Sequence, residues 1–318
     1  RYSPFSFASL PFGSFTDENL SETNHFCLRF NYSLLISLMS RNNITFFLSS
    51  IIYTIIPKKG DMRMTTALSL EQVSYSYHTM KQETTALSSI TFDVLSGEFV
   101  AVVGPSGCGK STMLHLIAKL LPLSGGTIKI NGVPIEESTD HIGYMLQKDH
   151  LFEWRDILSN VSLGLEIQHR LNTKSINRLK EMLASYGLKG FEHARPSELS
   201  GGMRQRAALI RTLALEPDLL LLDEPFSALD YQTRLSVCDD ISSILRTTGK
   251  TAILVTHDLS EAISTADRII ILTPRPGRIK KILTITFPQD CQSPLERRNC
   301  PEFSRYFNTV WKELKTHE

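Results

Sequence analysis

The stretch FVAVVGPSGCGKST, residues 99–112, decides the fold of this 318-residue chain. Its apolar first half is typical of a buried strand, and the glycine turn that follows leads into a helix predicted from Lys110 to about Leu121. Backbone N–H groups of such a turn can close around phosphate groups, and the positive end of the helix attracts their negative charge. The pattern therefore predicts a phosphate loop that holds a nucleoside triphosphate.

Each position of this loop has a predicted role. Lys110 should reach the β- and γ-phosphates, and Ser111 should ligate Mg²⁺. Cys108 occupies a variable position, so it is interpreted as a spacer and not as a nucleophile. The alternative, a glycine turn with a chance lysine, is disfavoured by the full motif between a strand and a helix. The predicted nucleotide contacts are Gly104, Pro105, Ser106, Gly107, Cys108, Gly109, Lys110, Ser111 and Thr112.

A second apolar run, residues 219–222, ends in the carboxylates Asp223 and Glu224. Neighbouring side chains on a strand point in different directions. Asp223 is therefore predicted to serve the Mg²⁺ shell, and Glu224 to face the attacking water. Pro225 is expected to end the strand. An ordinary acidic turn is the alternative, and it becomes the minor one beside a phosphate loop.

Between these motifs lies LSGGMRQR, residues 199–206, a Ser-Gly-Gly turn that opens a basic helix. Such a turn offers a second set of phosphate contacts. In this order the motifs resemble those of the ATP-binding cassette (ABC) ATPases, and residues 227–230 resemble that family's D-loop. The resemblance implies a head-to-tail dimer in which the turn serves the partner's nucleotide, so the turn is expected to be idle in a single chain. The contacts implied across this dimer are Ser200, Gly201, Gly202 and Asp230.

The resemblance gives roles to three more residues. Gln147 would contact Mg²⁺ and the lytic water, and His257 would be the switch histidine beside the γ-phosphate. Without the motif order, these two would be an ordinary strand-end glutamine and a surface histidine. Tyr77 suits the family's adenine-stacking position better than Tyr75 does, although a tyrosine packed in a strand is the alternative. The implied catalytic set is Glu224, His257, Gln147 and Lys110, and the implied metal set is Ser111, Gln147 and Asp223.

The implied fold class is α/β, a P-loop NTPase of the ABC ATPase type. It has a RecA-like core, an antiparallel β-subdomain and a helical signature subdomain. One cassette is expected over residues 64–318, with the helical subdomain at about 149–206. In this family the segment that corresponds to residues 151–155 docks a membrane-embedded partner. Phe152 and Trp154 are therefore interface candidates, with core packing as the alternative.

The tail narrows the resemblance. Residues 273–279 read TPRPGRI, and Pro301-Glu302-Phe303 and a predicted terminal helix with Trp311 follow. Together with Met203, these features look like the ATPase subunits of nitrate, sulfonate and taurine importers. This implies an ATP- and Mg²⁺-dependent ATPase, peripheral on the cytoplasmic face of a bacterial membrane. Its partners would be a permease and, indirectly, an extracytoplasmic solute-binding protein. The transported solute is left open among a sulfonate, nitrate, taurine and a pyrimidine precursor.

Composition and motif counts exclude other classes. The formal net charge is +1, and no basic stripe interleaved with aromatics indicates a nucleic-acid partner. A single cassette argues against a translation factor with tandem cassettes, and the lack of a long insert argues against a DNA-repair ATPase. Intact Glu224 and His257 argue against a partner that binds ATP without turnover. Five cysteines without a C-x-x-C pair predict free thiols in a reducing compartment.

Residues 1–63 do not match the family. The apolar run at 44–56 is shorter than the roughly 20 residues of a membrane span. Lys58-Lys59-Gly60 would be encoded by a purine-rich tract upstream of Met62 and Met64, as a ribosome-binding site would be. The hypothesis is that this doubtful N-terminal extension is disordered or not natively translated.

Overall fold

The computed structural model describes residues 65–78, 82–138, 142–227 and 229–315, which form two β-sheets and eight α-helices, with a short 3-10 helix at Pro196–Glu198. The strands are β1 Thr66–His78, β2 Glu83–Leu95, β3 Phe99–Val103, β4 Gly125–Ile130, β5 Val133–Pro134, β6 Ile142–Met145, β7 Leu219–Asp223, β8 Thr251–Val255, β9 Arg268–Leu272 and β10 Ile279–Thr284. The helices are α1 Lys110–Ile117, α2 Ile157–Ile167, α3 Thr173–Ser185, α4 Gly201–Leu213, α5 Tyr231–Thr248, α6 Leu259–Thr265, α7 Pro294–Asn299 and α8 Pro301–Lys315.

The larger sheet has the strand order β10-β9-β3-β8-β7-β6, in which only β10 runs antiparallel to its neighbour. Every residue of β3, β7 and β8 is buried. Continuous apolar strands of this kind suit a parallel sheet that is covered on both faces. The carboxyl ends of β3, β7 and β8 therefore meet at one edge, where the chain places its phosphate loop, its two carboxylates and the segment that contains His257.

The smaller sheet is antiparallel, with the order β2-β1-β4-β5. Its apolar face shares one core with α1 and with one face of the larger sheet, as the common cluster of Leu68, Met113 and Val100 shows. This packing holds β1 and β2 beside the phosphate loop, so that side chains from the smaller sheet reach the same edge.

Helices α2, α3 and α4 surround a core of their own that includes Val161, Leu183 and Ile210. Their starts are specified locally. The Asp156 side chain accepts the Ser159 N–H at the start of α2, and Asn172 forms a capping box at the start of α3. This arrangement confirms the predicted fold class, with its core, antiparallel sheet and helical part.

The structure differs from two expectations, the end of α1 and the state of two cysteines. The helix predicted to reach about Leu121 ends at Ile117, because Lys119 adopts a left-handed φ of 59° shortly after it. The prediction of free thiols is wrong for Cys291 and Cys300, which form a disulfide, whereas Cys108 and Cys238 are free and buried.

The domain limits stay predictions, and residues 1–63 lie outside the described part of the chain. Within the described ranges, no helix is both long and apolar enough to cross a bilayer.

Candidate active site

A cavity of about 320 Å³ opens at the shared edge of β3, β7 and β8. It brings together residues that are far apart in the sequence. The predicted site residues that line it are Tyr77, Ser106, Gly107, Gly109, Lys110, Ser111, Thr112, Gln147, Asp223 and Glu224, joined by Ala86 and Arg275.

Glycines give the phosphate loop its shape. Gly107 and Gly109 have φ angles of 74° and 104°, which L side chains rarely adopt. A Cβ at Gly109 would lie 2.6 Å from Leu87 Cδ2, so the loop can approach β2 only without a side chain there. The loop leads directly into α1, whose N-terminal N–H groups therefore face the cavity mouth.

Lys110 is almost fully buried at the start of α1. Its ammonium group donates to the carbonyl oxygens of Gly104 and Pro105, at 2.8 and 3.1 Å. The positive charge is thus held over the loop. Cys108 is also buried, and burial raises the pKa of its thiol, in agreement with a spacer and not a nucleophile.

Asp223 ends β7 and accepts two hydrogen bonds. Ser111 Oγ donates to one carboxylate oxygen and the Tyr144 hydroxyl donates to the other, each at 3.2 Å. The pKa of Asp223 is raised above its ordinary value, because the effect of burial outweighs the lowering effect of the two hydrogen bonds. The hydroxyl and the carboxylate are hard oxygen donors of the kind that Mg²⁺ prefers. The described residues hold no cluster of three or more His, Cys, Asp or Glu that could bind a metal alone, so phosphate oxygens and water would complete the shell.

The side chains of Glu224 and Asp223 point in different directions, but for a different reason from the predicted one. The strand ends at Asp223, and Glu224 adopts a left-handed φ of 45°. Its N–H donates to the Val255 carbonyl of β8 at 2.8 Å. A non-glycine residue in this conformation costs about 1–3 kcal/mol and persists only where its surroundings impose it. The turn, and not strand alternation, therefore aims this carboxylate into the cavity.

Glu224 is the meeting point of the remaining catalytic candidates. The Gln147 amide nitrogen lies 3.3 Å from Glu224 Oε2, and His257 Nδ1 lies 3.1 Å from the same oxygen. Gln147 also donates to Ser227 Oγ at 3.4 Å, a contact that the sequence did not predict. A glutamine after β6, a carboxylate after β7 and a histidine after β8 thus converge on one point.

Tyr77 lies at the rim of the cavity with 39% of its surface exposed. Its hydroxyl is 3.0 Å from Thr112 Oγ1, which ties β1 to α1. Tyr75 contacts it edge to face and packs against the core instead. An exposed ring at the rim can offer a face to a base, so Tyr77 remains the predicted adenine contact.

The Ser-Gly-Gly turn does not line the cavity. Ser200 is exposed and caps α4 by accepting the Met203 N–H, whereas a Cβ at Gly202 would lie 2.6 Å from Thr233 Cγ2 of α5. Asp230 caps α5 through the Thr233 N–H. The turn thus has a structural role in the single chain, because it starts one helix and packs that helix on another. That it does not contact the nucleotide of its own chain stays a prediction.

The glycine loop lies over a helix N-terminus, the Ser111 hydroxyl donates to the Asp223 carboxylate, and the Glu224 carboxylate faces the same cavity. Together these features define the class of P-loop nucleoside triphosphatases. Residues 87–227 match the family model described as ABC transporter. The chain is 46% identical, over 251 residues, to the uncharacterized ABC transporter ATP-binding protein YtlC of Bacillus subtilis; these residues span 79% of this chain and 96% of the relative. The chain therefore belongs to the ABC transporter family, as an ATP-binding subunit with ATPase activity.

Two further likenesses bear on the site. The taurine import ATP-binding protein TauB of Yersinia pestis is 42% identical over 204 residues, which cover 64% of this chain and 80% of the relative. A solved dimer of the ATP-binding cassette MJ0796, in a post-hydrolysis state bound to ADP and Pi, superposes with a TM-score of 0.61 at 29% identity. That match covers 70% of this chain and all of the other.

Phe152 and Trp154 lie in a non-helical segment before α2. Trp154 is 70% exposed, and its ring centroid is 4.6 Å from that of the half-buried Phe152. Trp154 is therefore not a core residue, and the alternative of core packing fails for it.

A buried carboxylate, Glu261, lies close to His257. Glu261 is 2% exposed and accepts the Thr256 hydroxyl at 2.6 Å, with Arg234 at 3.9 Å. Burial is the main cause that raises its pKa from 4.5 to about 7, and Asp258 adds to this, whereas Thr256, Arg234 and His257 lower it.

Glu261→Gln is expected to flatten the pH dependence of stability. Between pH 4.5 and 7 the folded chain keeps a proton that the unfolded chain has released, so the free energy of unfolding falls as pH rises, by up to about 3 kcal/mol. Below this window both states are protonated, and above it both are ionised. Urea unfolding of both proteins from pH 4.5 to 8 measures the slope, and an unchanged slope in the glutamine variant would contradict the assignment.

Proposed function

We propose that this chain is the ATP-hydrolysing subunit of an ABC importer for a small solute of the nitrate, sulfonate or taurine type. The observation that carries the solute class is the 42% identity to a protein named for taurine import. The segment TPRPGRI at residues 273–279, which looks like the corresponding segment of these importers, supports it.

Hydrolysis of ATP is proposed to take place in this cavity, with the residues that line it in the roles below. Lys110 and the loop N–H groups bind the phosphates, and Ser111 with Asp223 would hold Mg²⁺, which neutralises phosphate charge when bound. Glu224 takes the proton of the attacking water, because its carboxylate lines the cavity and is not one of the two groups proposed to hold Mg²⁺. Gln147 and His257 orient that water and the Glu224 carboxylate through their shared contact.

The functional unit is proposed to be two chains, head to tail. Ser200, Gly201 and Gly202 lie away from the cavity of their own chain, so they are available to a nucleotide in the partner's cavity. Asp230 is the last residue of the segment that resembles the D-loop; it caps the start of α5 and would lie at the same interface. The neighbouring solved cassette is a dimer, which supports this arrangement.

Transport is proposed to follow from the dimer cycle. ATP binding favours the closed pair and product release the open pair, so the cycle can move an attached membrane protein between two states. Trp154, exposed beside Phe152, is the proposed contact to a permease at the cytoplasmic face of the membrane. A solute-binding protein on the other side would deliver the cargo.

Trp154→Ala is expected to lose copurification with the permease encoded by a neighbouring gene, while ATPase activity of the isolated chain is retained. The reason is that an exposed aromatic anchor is worth about 2 kcal/mol or more at an interface. Trp311→Ala is the matched control, since Trp311 is also exposed but lies on α8. Equal copurification of both variants would contradict the docking site.

The cargo is decided by a separate assay. Taurine, an alkanesulfonate and nitrate are each tested for stimulation of ATPase activity in the reconstituted importer.

A further inference from the structure

Arg275 belongs to the loop between β9 and β10, residues 273–278, and it lines the cavity together with Lys110 and Ser111. Its Nε donates to the carbonyl oxygen of Gly107 at 3.0 Å. A Cβ at Gly107 would lie 3.3 Å from Arg275 Nη2. The guanidinium group therefore lies directly against the phosphate loop.

The backbone that carries Arg275 is fixed. Gly277 donates to the Ala86 carbonyl and accepts from the Ser88 N–H, each at 2.9 Å, so the loop extends the edge of β2. A Cβ at Gly277 would lie only 2.1 Å from the Cys108 carbonyl oxygen. The loop is thus wedged between β2 and the phosphate loop, and a glycine is required for this approach.

Within the described ranges, the charge of Arg275 has no acidic partner. Among the residues that the structure describes, the ion pairs include Arg234, Arg246 and Arg268 but not Arg275. Among the described residues that line the cavity, two carry a lysine or arginine charge, Lys110 and Arg275. An unpaired cation on a wall that binds phosphates adds attraction for an anion, and this attraction weakens as salt screens it.

We propose that Arg275 is a phosphate-binding residue of the ATP site, in which Nε stays on the Gly107 carbonyl and the Nη atoms bind oxygens of the phosphate chain. The planar fork of arginine suits two such contacts at once. Because Nε already fixes the side chain, less conformational freedom is lost when the phosphate binds. This inference rests on the proposed placement of the triphosphate in this cavity.

The test is displacement of a fluorescent ATP analogue by ATP, ADP and inorganic tripolyphosphate, which lacks the base. Arg275→Gln is expected to weaken the binding of all three competitors by about five- to tenfold. This loss lies between that of a charged contact at an exposed site and that of one at a buried site. It should also reduce the salt dependence of ATP binding. Arg278→Gln is the matched control, because Arg278 is exposed on the same loop but does not line the cavity.

Unchanged binding of tripolyphosphate by Arg275→Gln would overturn the inference, and so would an equal loss in Arg278→Gln. Arg275→Lys, which keeps the charge but not the fork, should recover part of the affinity and the salt dependence; a lysine variant that behaves as the glutamine variant would contradict a charge contact. Lys110→Ala is measured in parallel. If it loses ATP while Arg275→Gln does not, the proposed placement of ATP survives and only the role of Arg275 fails.

Discussion

Glu224→Gln is expected to abolish steady-state ATP hydrolysis, with kcat lower by a factor of about 10² to 10⁴, while the Kd for ATP stays within about twofold. The glutamine keeps the shape of the side chain and the turn that aims it, but an amide cannot accept the proton of the attacking water. Phosphate release at saturating ATP measures the loss in kcat, and binding of an ATP analogue measures the retained affinity.

Glu137→Gln supplies the control for this prediction. Glu137 is an exposed glutamate outside the cavity, and the same chemical change there should leave kcat unaltered. A Glu224→Gln variant that hydrolyses ATP at the parent rate would remove Glu224 as the base. A loss of ATP affinity as large as the loss in kcat would instead show that the carboxylate acts in binding.

Ser200→Arg is expected to abolish hydrolysis while the single chain still binds ATP. The large cation would fill the surface that has to meet the partner's nucleotide, whereas the cavity of its own chain does not include Ser200. Loss of the cap on α4 costs about 1 kcal/mol, which leaves the chain folded. Ser200→Thr keeps a capping hydroxyl and is the control expected to retain hydrolysis. Loss of ATP binding by Ser200→Arg in dilute, monomeric protein would mean that the turn acts within its own chain.

The sequence predicted the parts of the site that are local in the chain. The phosphate loop, the Asp-Glu pair and the fold class each follow from an apolar run and the residues directly after it. The aim of Glu224 could not be predicted, because its left-handed turn is held by the Val255 carbonyl on a neighbouring strand. The close packing of Gly202 on α5 could not be predicted either, because it depends on Thr233, which belongs to another helix.

Two other features are also non-local. Arg275 reaches the phosphate loop only because β9 lies next to β3 in the sheet, which its position in the sequence does not reveal. Cys291 and Cys300 flank a short helix, and an odd cysteine count without a familiar spacing gave no pairing signal. Each miss comes from tertiary contacts that bring separate segments together.

The central claim is that the complete active site needs two chains, and sedimentation of the Glu224→Gln protein tests it most directly. This variant binds ATP without hydrolysing it, so it should sediment as one chain without nucleotide and as two chains with saturating ATP and Mg²⁺. The Glu224→Gln variant that also carries Ser200→Arg should bind ATP and remain a single chain. Dimers that form equally well in the double variant, or ATP-saturated Glu224→Gln protein that stays a single chain, would contradict the account.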